Sequence, residues 1–250
     1  MRHRPWPRLA PWMQLLGRGL AASLLPSSCA LCGLGSDAAV CAPCHARFLG
    51  PARARCRCCA NPVAAADARW PCAACMAAAP AYDATVVAAD YASPLDQLVL
   101  QLKFGARLAL APWMGSVLAQ AVLAGRAPLP NLLCPVPLGP LRLAGRGFNQ
   151  ALEIARPLAH TLGIPLRAAL ALRARETEAQ SGVAPAERRR NIRHAFIVAP
   201  DALAMVRGQH VGVVDDVMTS GATLNELAAT LKRFGAARVS NFVFARTPPH

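Results

Sequence analysis

An apolar run that ends in two adjacent carboxylates and passes into a loop of small and hydroxyl residues constrains the fold of this chain most. Residues 211–224 read VGVVDDVMTSGATL. The opening VGVVDDV has the length and β-branched content of a buried strand, and a helical pattern begins at about Ala222. A strand that passes directly into a helix is typical of α/β domains, in which parallel strands alternate with helices.

The loop after this strand has the composition of a phosphate site. Thr219, Ser220 and Thr223 supply hydroxyl donors, while Gly221 and Ala222 leave the backbone accessible. The first turn of the following helix adds free N–H groups and the positive end of its dipole. Residues 219–223 are therefore predicted to hold a phosphate. The motif differs from a P-loop, which ends in Gly-Lys-Ser/Thr, and from the G-x-G-x-x-G loop of dinucleotide-binding folds.

Asp215 and Asp216 would repel that phosphate, so their position just before the loop needs a chemical reason. Adjacent carboxylates accept hydrogen bonds from the 2- and 3-hydroxyls of a sugar, while a divalent cation screens the remaining charge. A sugar phosphate laid across the carboxyl end of the strand satisfies both halves of the motif. The alternative is an ordinary capped helix after a buried strand, with solvated Asp residues, and the TSGAT segment alone does not separate the two.

Nine of the ten cysteines lie between residues 29 and 75, and eight of them form four C-x2-C pairs. The pairs are Cys29/Cys32, Cys41/Cys44, Cys56/Cys59 and Cys72/Cys75. Each pair places two thiols on one side of a tight turn, so two pairs complete a tetrahedral shell and four pairs hold two structural zinc ions. Consecutive pairs give the simplest assignment, and interleaved pairs are the alternative.

Other uses of the cysteines fit this pattern less well. A disulfide framework needs an export signal, and a thioredoxin-like redox site needs one pair rather than four. Cys58, in the sequence CRCC, either substitutes for a neighbouring ligand or fills space. Cys134 is predicted to be a small buried apolar residue rather than a nucleophile, since no histidine neighbours it in sequence.

The formal net charge is +14, carried by 25 Arg and 2 Lys against 13 acidic residues. Two four-thiolate zinc sites would contribute about −2 each, which leaves about +10. This charge is compatible with a nucleic acid or a phosphorylated substrate, and equally with a solvated surface in an Arg-rich chain. The aromatic content of 5% gives no evident stacking platform for single-stranded nucleic acid.

Residues 1–26 are basic and mildly apolar, and we expect a short helix there. A secretory signal is disfavoured because Gly17, Arg18 and Gly19 interrupt the apolar stretch and no small-residue cleavage site follows. A helix on a membrane surface is the alternative, since tryptophans lie among arginines. No window offers the roughly 18 apolar residues of a membrane span, and the expected location is cytoplasmic.

Strands and helices alternate from Tyr82 onward, which predicts a mainly parallel sheet with helices on both faces. Predicted strands cover 85–91, 132–136, 211–217 and 239–245, and predicted helices cover 94–104, 108–123, 148–162 and 222–234. Ser93 and Pro94 are expected at the N-cap and N1 positions of the first of these helices. Composition places the domain boundaries at 1–26 for the N-terminal helix, 27–80 for a double zinc ribbon and 81–250 for the α/β domain.

Several longer segments resemble the ComF family, whose members combine a double zinc ribbon with a type I phosphoribosyltransferase domain. They are LKFGARLAL (102–110), PVPLGPLRLAGRGFNQALEIA (135–155), RARETEAQSGVAPAERRRNIRHAF (173–196) and VVDDVMTSGATL. The resemblance covers nearly the whole chain, including all four cysteine pairs. It implies an α/β fold with a type I phosphoribosyltransferase-like, mainly parallel sheet flanked by helices, and a small N-terminal double zinc-ribbon domain.

The resemblance also implies a set of site residues. Asp215 and Asp216 are the implied catalytic acids and ribose contacts, and Thr219, Ser220, Gly221, Ala222 and Thr223 the implied 5-phosphate contacts. The turn at Val136 and Pro137 is the implied pyrophosphate-side loop.

Basic side chains that suit the pyrophosphate are Lys103, Arg142, Arg146, Arg175 and Arg188–Arg190, since a planar guanidinium matches phosphate oxygens. The Gly- and Pro-rich segment 138–147 is expected to be a loop that closes over the ligand. A solvated helix face is an equal alternative for Arg188–Arg190.

Two kinds of function follow. The first is a transferase that moves a phosphoribosyl group from phosphoribosyl diphosphate to an acceptor, with structural zinc and with magnesium on the diphosphate. The ComF resemblance adds a role in natural transformation, with single-stranded DNA or DNA-uptake proteins as partners. The second is a non-catalytic nucleotide-sensing or single-stranded-DNA-binding module, in which binding rests on the charge of the nucleic-acid backbone.

Overall fold

The computed structural model describes residues 28–50, 53–125, 127–174 and 194–248. The chain divides into two compact units, one up to Arg47 and one from Phe48 onward. Three features named above lie outside the described residues: the predicted helix of residues 1–26, Arg175, and Arg188–Arg190.

A tight knuckle and a short helix make up the described part of the first unit. Residues 28–35 form the knuckle, which is held by two backbone hydrogen bonds at Cys29. Gly33 has a φ of 76°, a left-handed conformation that favours glycine at this turn. Helix α1 (Ala42–Phe48) follows and carries Cys44.

A four-stranded parallel sheet forms the centre of the second unit. The strands in chain order are β1 (Ala84–Asp90), β2 (Leu132–Pro135), β3 (Ala171–Arg173), β4 (Phe196–Val198), β5 (His210–Met218) and β6 (Arg238–Arg246). The parallel sheet has the order β1-β6-β5-β2, while β3 and β4 form a separate antiparallel pair. The acid-bearing strand β5 is therefore central, and its carboxyl end lies at the same edge as those of its neighbours.

Helices connect these strands, as the alternating pattern predicts. In chain order they are α2 (Ala73–Ala77), α3 (Leu95–Gly105), α4 (Leu110–Ala124), α5 (Pro140–Arg146), α6 (Gln150–Leu162), α7 (Leu203–Val206) and α8 (Ala222–Arg233), with 3-10 turns at Ala65–Asp67 and Pro200–Ala202. α4 and α6 pack on each other and on the sheet, and α8 packs on β5 and β6. The predicted parallel sheet flanked by helices is confirmed.

Successive side chains of the central strands β5 and β6 point to opposite faces of the sheet and are buried on both. Val213 of β5 and Val243 of β6 pack in one cluster with Leu227 of α8. The ring of Phe244 meets the ring of Trp113, on α4, edge-on with 5.9 Å between centroids. Because successive strand residues point to opposite faces, α8 and α4 cover opposite sides of the sheet.

Residues 53–82 pack along the outer edge of β1. The backbone amide of Thr85 donates to the carbonyl of Arg57 (3.3 Å), and Arg55 forms an ion pair with Asp90 at 2.8 Å. An edge strand presents unpaired backbone groups, so this covering segment also shields the sheet from pairing with another chain. The second half of the cysteine-rich region is thus packed against the sheet that carries the candidate site.

Two local expectations are wrong. Segment 138–147, expected to be a loop, contains helix α5, because Pro140 favours the first helical turn and Gly147 ends the helix at a φ of 80°. Pro94 occupies the N-cap position of α3 rather than N1, so the helix begins at Leu95. The pairing of β3 with β4 has no counterpart in the sequence prediction, since each strand is only three residues long.

Within the described ranges, no helix combines the length and the apolar character needed to cross a membrane.

Gly115 tests the packing of α4 on α6. A Cβ at this position would lie 2.5 Å from Pro157 Cγ and 2.9 Å from the carbonyl oxygen of Ile154. We expect Gly115→Ala to lower the free energy of unfolding by about 1–3 kcal/mol, since overpacking outweighs the roughly 1 kcal/mol gained from the helix propensity of alanine. Gly105→Ala is the matched control, because nothing lies within 4 Å of its added Cβ. Urea unfolding compares the two, and a Gly115→Ala variant as stable as the wild type would contradict this packing.

Candidate functional site

The two acids of β5 are buried at the carboxyl end of the strand. Asp215 is 9% exposed and Asp216 is 2% exposed. Asp215 Oδ1 accepts a hydrogen bond from the amide of Asp216 (2.9 Å), and Asp216 Oδ1 accepts one from the amide of Val217 (2.8 Å). The two carboxylates lie together at the carboxyl edge of the sheet, close enough for the charge of Asp216 to act on Asp215.

Lys103, near the end of α3, provides a positive charge beside Asp216. Its Nζ lies 2.7 Å from Asp216 Oδ2, in an ion pair whose geometry falls outside that of a hydrogen bond. Both side chains are largely removed from water, and a buried carboxylate left without a cation would cost on the order of several kcal/mol. A residue predicted for the pyrophosphate side is thus in direct contact with the acid pair.

The acid pair resists being fully ionised. Burial raises the pKa of the Asp215 carboxyl well above its ordinary value, and the charge of Asp216 raises it further, while Lys103 acts in the opposite direction. Two adjacent carboxylates in a buried setting repel each other. A ligand that brings hydroxyl donors or a cation to this edge relieves the repulsion.

Arg146 of α5 lies near Asp216, and Arg142 of the same helix lies near Arg146. The guanidinium of Arg146 lies over the ring of Phe104, 5.5 Å from its centroid. Burial lowers the pKa of Arg146, the charge of Asp216 raises it and the charge of Arg142 lowers it. These effects place Arg146 in the electrostatic neighbourhood of Asp216, and Arg142 in that of Arg146. Helix α5 therefore brings Arg146 to the carboxyl edge of β5.

Gly221 shapes the loop that joins β5 to α8. It is the N-cap of α8 with a φ of 78°, and an added Cβ would lie 2.5 Å from Met218 Cε. Thr219 and Ser220 are exposed beside it. Residues 222 and 223 form the first turn of a 12-residue helix, where N–H groups and the dipole favour an anion. The residues predicted to hold a phosphate thus occupy one helix start directly after the acids.

The Val136-Pro137 turn lies at the end of β2, beside β5. The amide of Val136 donates to the carbonyl of Val214 (2.9 Å), and Asn149 Nδ2 donates to the carbonyl of Val136 (3.0 Å). The same Asn149 side chain caps α6 by accepting from the amide of Ala151. The predicted pyrophosphate-side turn is therefore a fixed part of the edge that carries the acids.

Arg246 is a residue that sequence reasoning missed. It is 6% exposed at the end of β6 and donates to the carbonyl oxygens of Met218 (3.0 Å) and Thr219. A charged residue at the end of the apolar run VSNFVFAR is an available signal for it. Tyr82 was also missed: its hydroxyl would lie 3.2 Å from a Cβ on Gly221.

The eight paired cysteines form two clusters. One contains Cys29, Cys32, Cys41 and Cys44, the other contains Cys56, Cys59, Cys72 and Cys75, and the sulfurs of each lie within 4.8 Å of one another. The consecutive pairing is confirmed, and the interleaved alternative is excluded.

The geometry of both clusters fits zinc. Thiolates at the corners of a tetrahedron, about 2.3 Å from zinc, are roughly 3.8 Å apart. The sulfurs of Cys32 and Cys41 are 3.8 Å apart, and those of Cys59 and Cys72 are 3.6 Å apart. The backbone amide of Cys41 also donates to the sulfur of Cys29 (3.4 Å), as expected around a thiolate.

The thiols of the first cluster differ in pKa. Burial acts to raise the pKa of Cys29, but backbone hydrogen bonds, led by that from Cys41, outweigh it and bring the pKa to about 6. Burial raises the pKa of Cys44 to about 12. Four thiolates crowded together need a cation, and a divalent metal would stabilise all of them in the charged form.

The two remaining cysteines lie outside these clusters. Cys58 Sγ lies 3.9 Å from the carbonyl oxygen of Tyr82, while Cys59 occupies the ligand position. Cys134 is fully buried in β2, where burial raises its pKa to about 12, so it is a packing residue as expected.

Comparison with known proteins defines the family. Residues 149–249 match the model of the phosphoribosyl transferase domain. DNA utilization protein YhgH of Salmonella typhi is 36% identical over 230 residues, which cover 89% of this chain and 98% of that protein. The chain belongs to the ComF family. Competence protein F of Haemophilus influenzae, a further ComF relative, is 31% identical over 183 residues, 70% of this chain and 78% of that protein.

Solved structures with a phosphoribosyltransferase fold also match the chain. Glutamine phosphoribosylpyrophosphate amidotransferase from B. subtilis, complexed with ADP and GMP, aligns with a TM-score of 0.35 and 20% identity over 52% of this chain and 25% of that chain. Purine phosphoribosyltransferase from Pyrococcus horikoshii aligns with a TM-score of 0.31 and 19% identity over 51% of this chain and 66% of that chain.

Zinc content tests the two clusters. We expect the purified wild type to hold two zinc ions, one for each four-cysteine cluster. Cys32→Ser/Cys41→Ser should leave one ion, since both residues serve one cluster, whereas Cys32→Ser/Cys72→Ser should leave none. Cys58→Ser is the control and should retain both. Elemental mass spectrometry measures the ratio, and an equal loss in the two double variants would contradict the assignment.

Proposed function

We propose that this chain binds phosphoribosyl diphosphate with Mg²⁺ at the carboxyl edge of β5, in a cytoplasmic role connected with the uptake and use of DNA. The observation that carries the proposal is the buried acid pair followed directly by a helix N-terminus with hydroxyl and glycine residues. The names of the ComF relatives support the connection with DNA.

The 5-phosphate is assigned to the first turn of α8. Backbone N–H groups of residues 221–223 and the hydroxyls of Thr219 and Thr223 match the three acceptor oxygens of a terminal phosphate. Gly221 lets the backbone turn without a side chain over this surface. Selectivity for a phosphate over a neutral group comes from the helix dipole.

The ribose is assigned to the acid pair. Its 2- and 3-hydroxyls would donate to Asp215 and Asp216, and among the described residues Asp216 Oδ2 accepts no hydrogen bond. A hydroxyl on Asp216 competes with the 2.7 Å contact from Lys103. Ligand binding would then free Lys103 for the diphosphate. The same cation would pair with Asp216 in the empty site and with the diphosphate in the occupied site.

The diphosphate is assigned to the cationic side. Lys103, Arg142 and Arg146 supply positive charge there, and Mg²⁺ would supply the remaining neutralisation of the diphosphate when bound. Transfer requires the bond between C1 of ribose and the diphosphate oxygen to break, which develops positive charge on the sugar. The buried carboxylates stabilise that charge electrostatically, and the acceptor then attacks C1 while pyrophosphate leaves.

Binding measurements test the acid pair directly. We expect Asp215→Asn/Asp216→Asn to weaken phosphoribosyl diphosphate binding with Mg²⁺ by about 100-fold, since hydrogen bonds from the ribose hydroxyls to two buried carboxyl groups are lost. Inorganic phosphate should bind the variant at least as tightly as the wild type, because repulsion is removed. Asp201→Asn, at an exposed position, is the matched control.

Isothermal calorimetry on zinc-loaded wild type, Asp215→Asn/Asp216→Asn and Asp201→Asn measures the affinity of each protein for both ligands. Failure of the wild type to bind phosphoribosyl diphosphate would contradict the proposal. Pyrophosphate release with a bound acceptor supports the transferase, whereas tight binding without release supports a nucleotide sensor.

A second candidate function, single-strand binding, is favoured by one observation. The Phe104 side chain is 74% exposed and lies beneath the guanidinium of Arg146. An exposed aromatic ring beside a cation stacks a nucleic-acid base while the charge meets the backbone. Although the aromatic content is low, the Phe104 ring is therefore placed where a base could stack on it.

Single-strand binding is tested by substituting that ring. We expect Phe104→Ala to weaken binding of an oligothymidylate by about tenfold, the size of one lost stacking contact. Phe234→Ala is the control, since Phe234 is 38% exposed and follows the far end of α8. Fluorescence anisotropy at fixed salt measures both, and equal affinities for the two variants would remove the stacking assignment.

A further inference from the structure

A buried arginine joins the second cysteine cluster to the loop before α8. Arg246 Nε donates to the carbonyl of Cys59 (3.2 Å), and its Nη2 donates to Asn61 Oδ1 (2.7 Å). Its Nη1 donates to the carbonyl oxygens of Met218 (3.0 Å) and Thr219. One guanidinium therefore connects a zinc-ligand residue with the last residue of β5 and the first residue of the loop.

The charge of this arginine also points to the cysteine cluster. Arg246 is 6% exposed, and among the ion pairs of the described residues none joins it to a carboxylate. Four thiolates around Zn²⁺ would carry a net charge of about −2, so a loaded cluster would bring negative charge close to this buried cation.

A second connection lies beside the first. The amide of Ala81 donates to Asn225 Oδ1 (2.7 Å), in the first turns of α8. Tyr82, which is 6% exposed, packs in the same core as Cys56 and Cys75 and places its hydroxyl near Gly221. The segment that follows the second cluster thus holds the start of α8 from the other side.

We infer that Arg246 is a positioning residue, and that zinc in the second cluster fixes the 218–223 loop through it. This inference rests on the proposed function for its consequence, namely that zinc in this cluster sets the affinity for the 5-phosphate. The physical link itself is independent of which ligand binds. Zinc fixes the conformation of Cys59 and Asn61, Arg246 transmits that conformation to the carbonyls of Met218 and Thr219, and the loop N–H groups are held in place.

Hydrogen exchange of the full chain tests the link without any ligand. In zinc-loaded Arg246→Met we expect the amides of residues 219–224 to exchange about tenfold faster or more, because charge-assisted hydrogen bonds that hold the loop are lost. Arg233→Met is the matched control, since that arginine bonds to Thr230 at the far end of α8. Zinc content and the exchange of β5 are measured in parallel to show that the fold is retained.

Cysteine variants test the metal end of the same link. Cys72→Ser, which removes a ligand of the second cluster, should speed exchange in 219–224 as Arg246→Met does, whereas Cys58→Ser should leave it unchanged. Asn61→Ala and Arg246→Lys replace Arg246→Met in the exchange comparison if the methionine variant does not fold. Asn61→Ala removes one partner of the guanidinium, and Arg246→Lys keeps the charge but not the fork, so both should give intermediate exchange rates.

Affinity for ribose 5-phosphate connects the link to function. A loss of about tenfold in Arg246→Met, with zinc and fold retained, supports the inference. Wild-type exchange rates in every Arg246 and Asn61 variant would overturn it. If the wild type binds neither ribose 5-phosphate nor phosphoribosyl diphosphate, the proposed function fails while the exchange comparison still decides the positioning role.

Discussion

Two carboxylates are buried side by side at the end of a central strand, and they determine which charged groups surround the candidate site. Burial and the charge of Asp216 disfavour the charged form of Asp215, and the fold places a cation against Asp216. Lys103 of α3 contacts Asp216, and Arg146 of α5 lies close enough for the charge of Asp216 to act on it. The neighbouring helix start then offers N–H donors to an anion. A sugar phosphate fits this arrangement because its hydroxyls need acceptors, its phosphate needs donors, and its charge matches the surrounding cations.

Local patterns in the sequence were sufficient for the elements that build this site. The run VGVVDDV predicts β5, and the small residues that follow predict the turn into α8. The spacing of the cysteine pairs predicts two four-sulfur clusters. In each case the signal lies within a few residues along the chain, where periodicity, turn chemistry and metal geometry act directly.

Features that depend on distant contacts escaped the sequence. Arg246 bonds to Asn61, which lies 185 positions earlier, and no local pattern reports such a pairing. The glycines and prolines of segment 138–147 predict a loop, whereas in helix α5 Pro140 and Gly147 lie at the two ends of the helix. No local pattern marks Phe104, whose exposed position under Arg146 depends on the packing of α3 and α5. Local sequence patterns thus predict the acids and the phosphate loop at this edge of the sheet, but not the distant residues that hold them in place.

We propose that a single edge of the sheet holds a ribose and its 5-phosphate together. A crystal structure of the zinc-loaded chain with phosphoribosyl diphosphate and Mg²⁺ measures this most directly. We predict the 5-phosphate on the backbone N–H groups of residues 221–223, the ribose hydroxyls on Asp215 and Asp216, and Lys103 turned from Asp216 toward the diphosphate. A ligand whose ribose contacts neither acid, or whose 5-phosphate lies away from the start of α8, would contradict it.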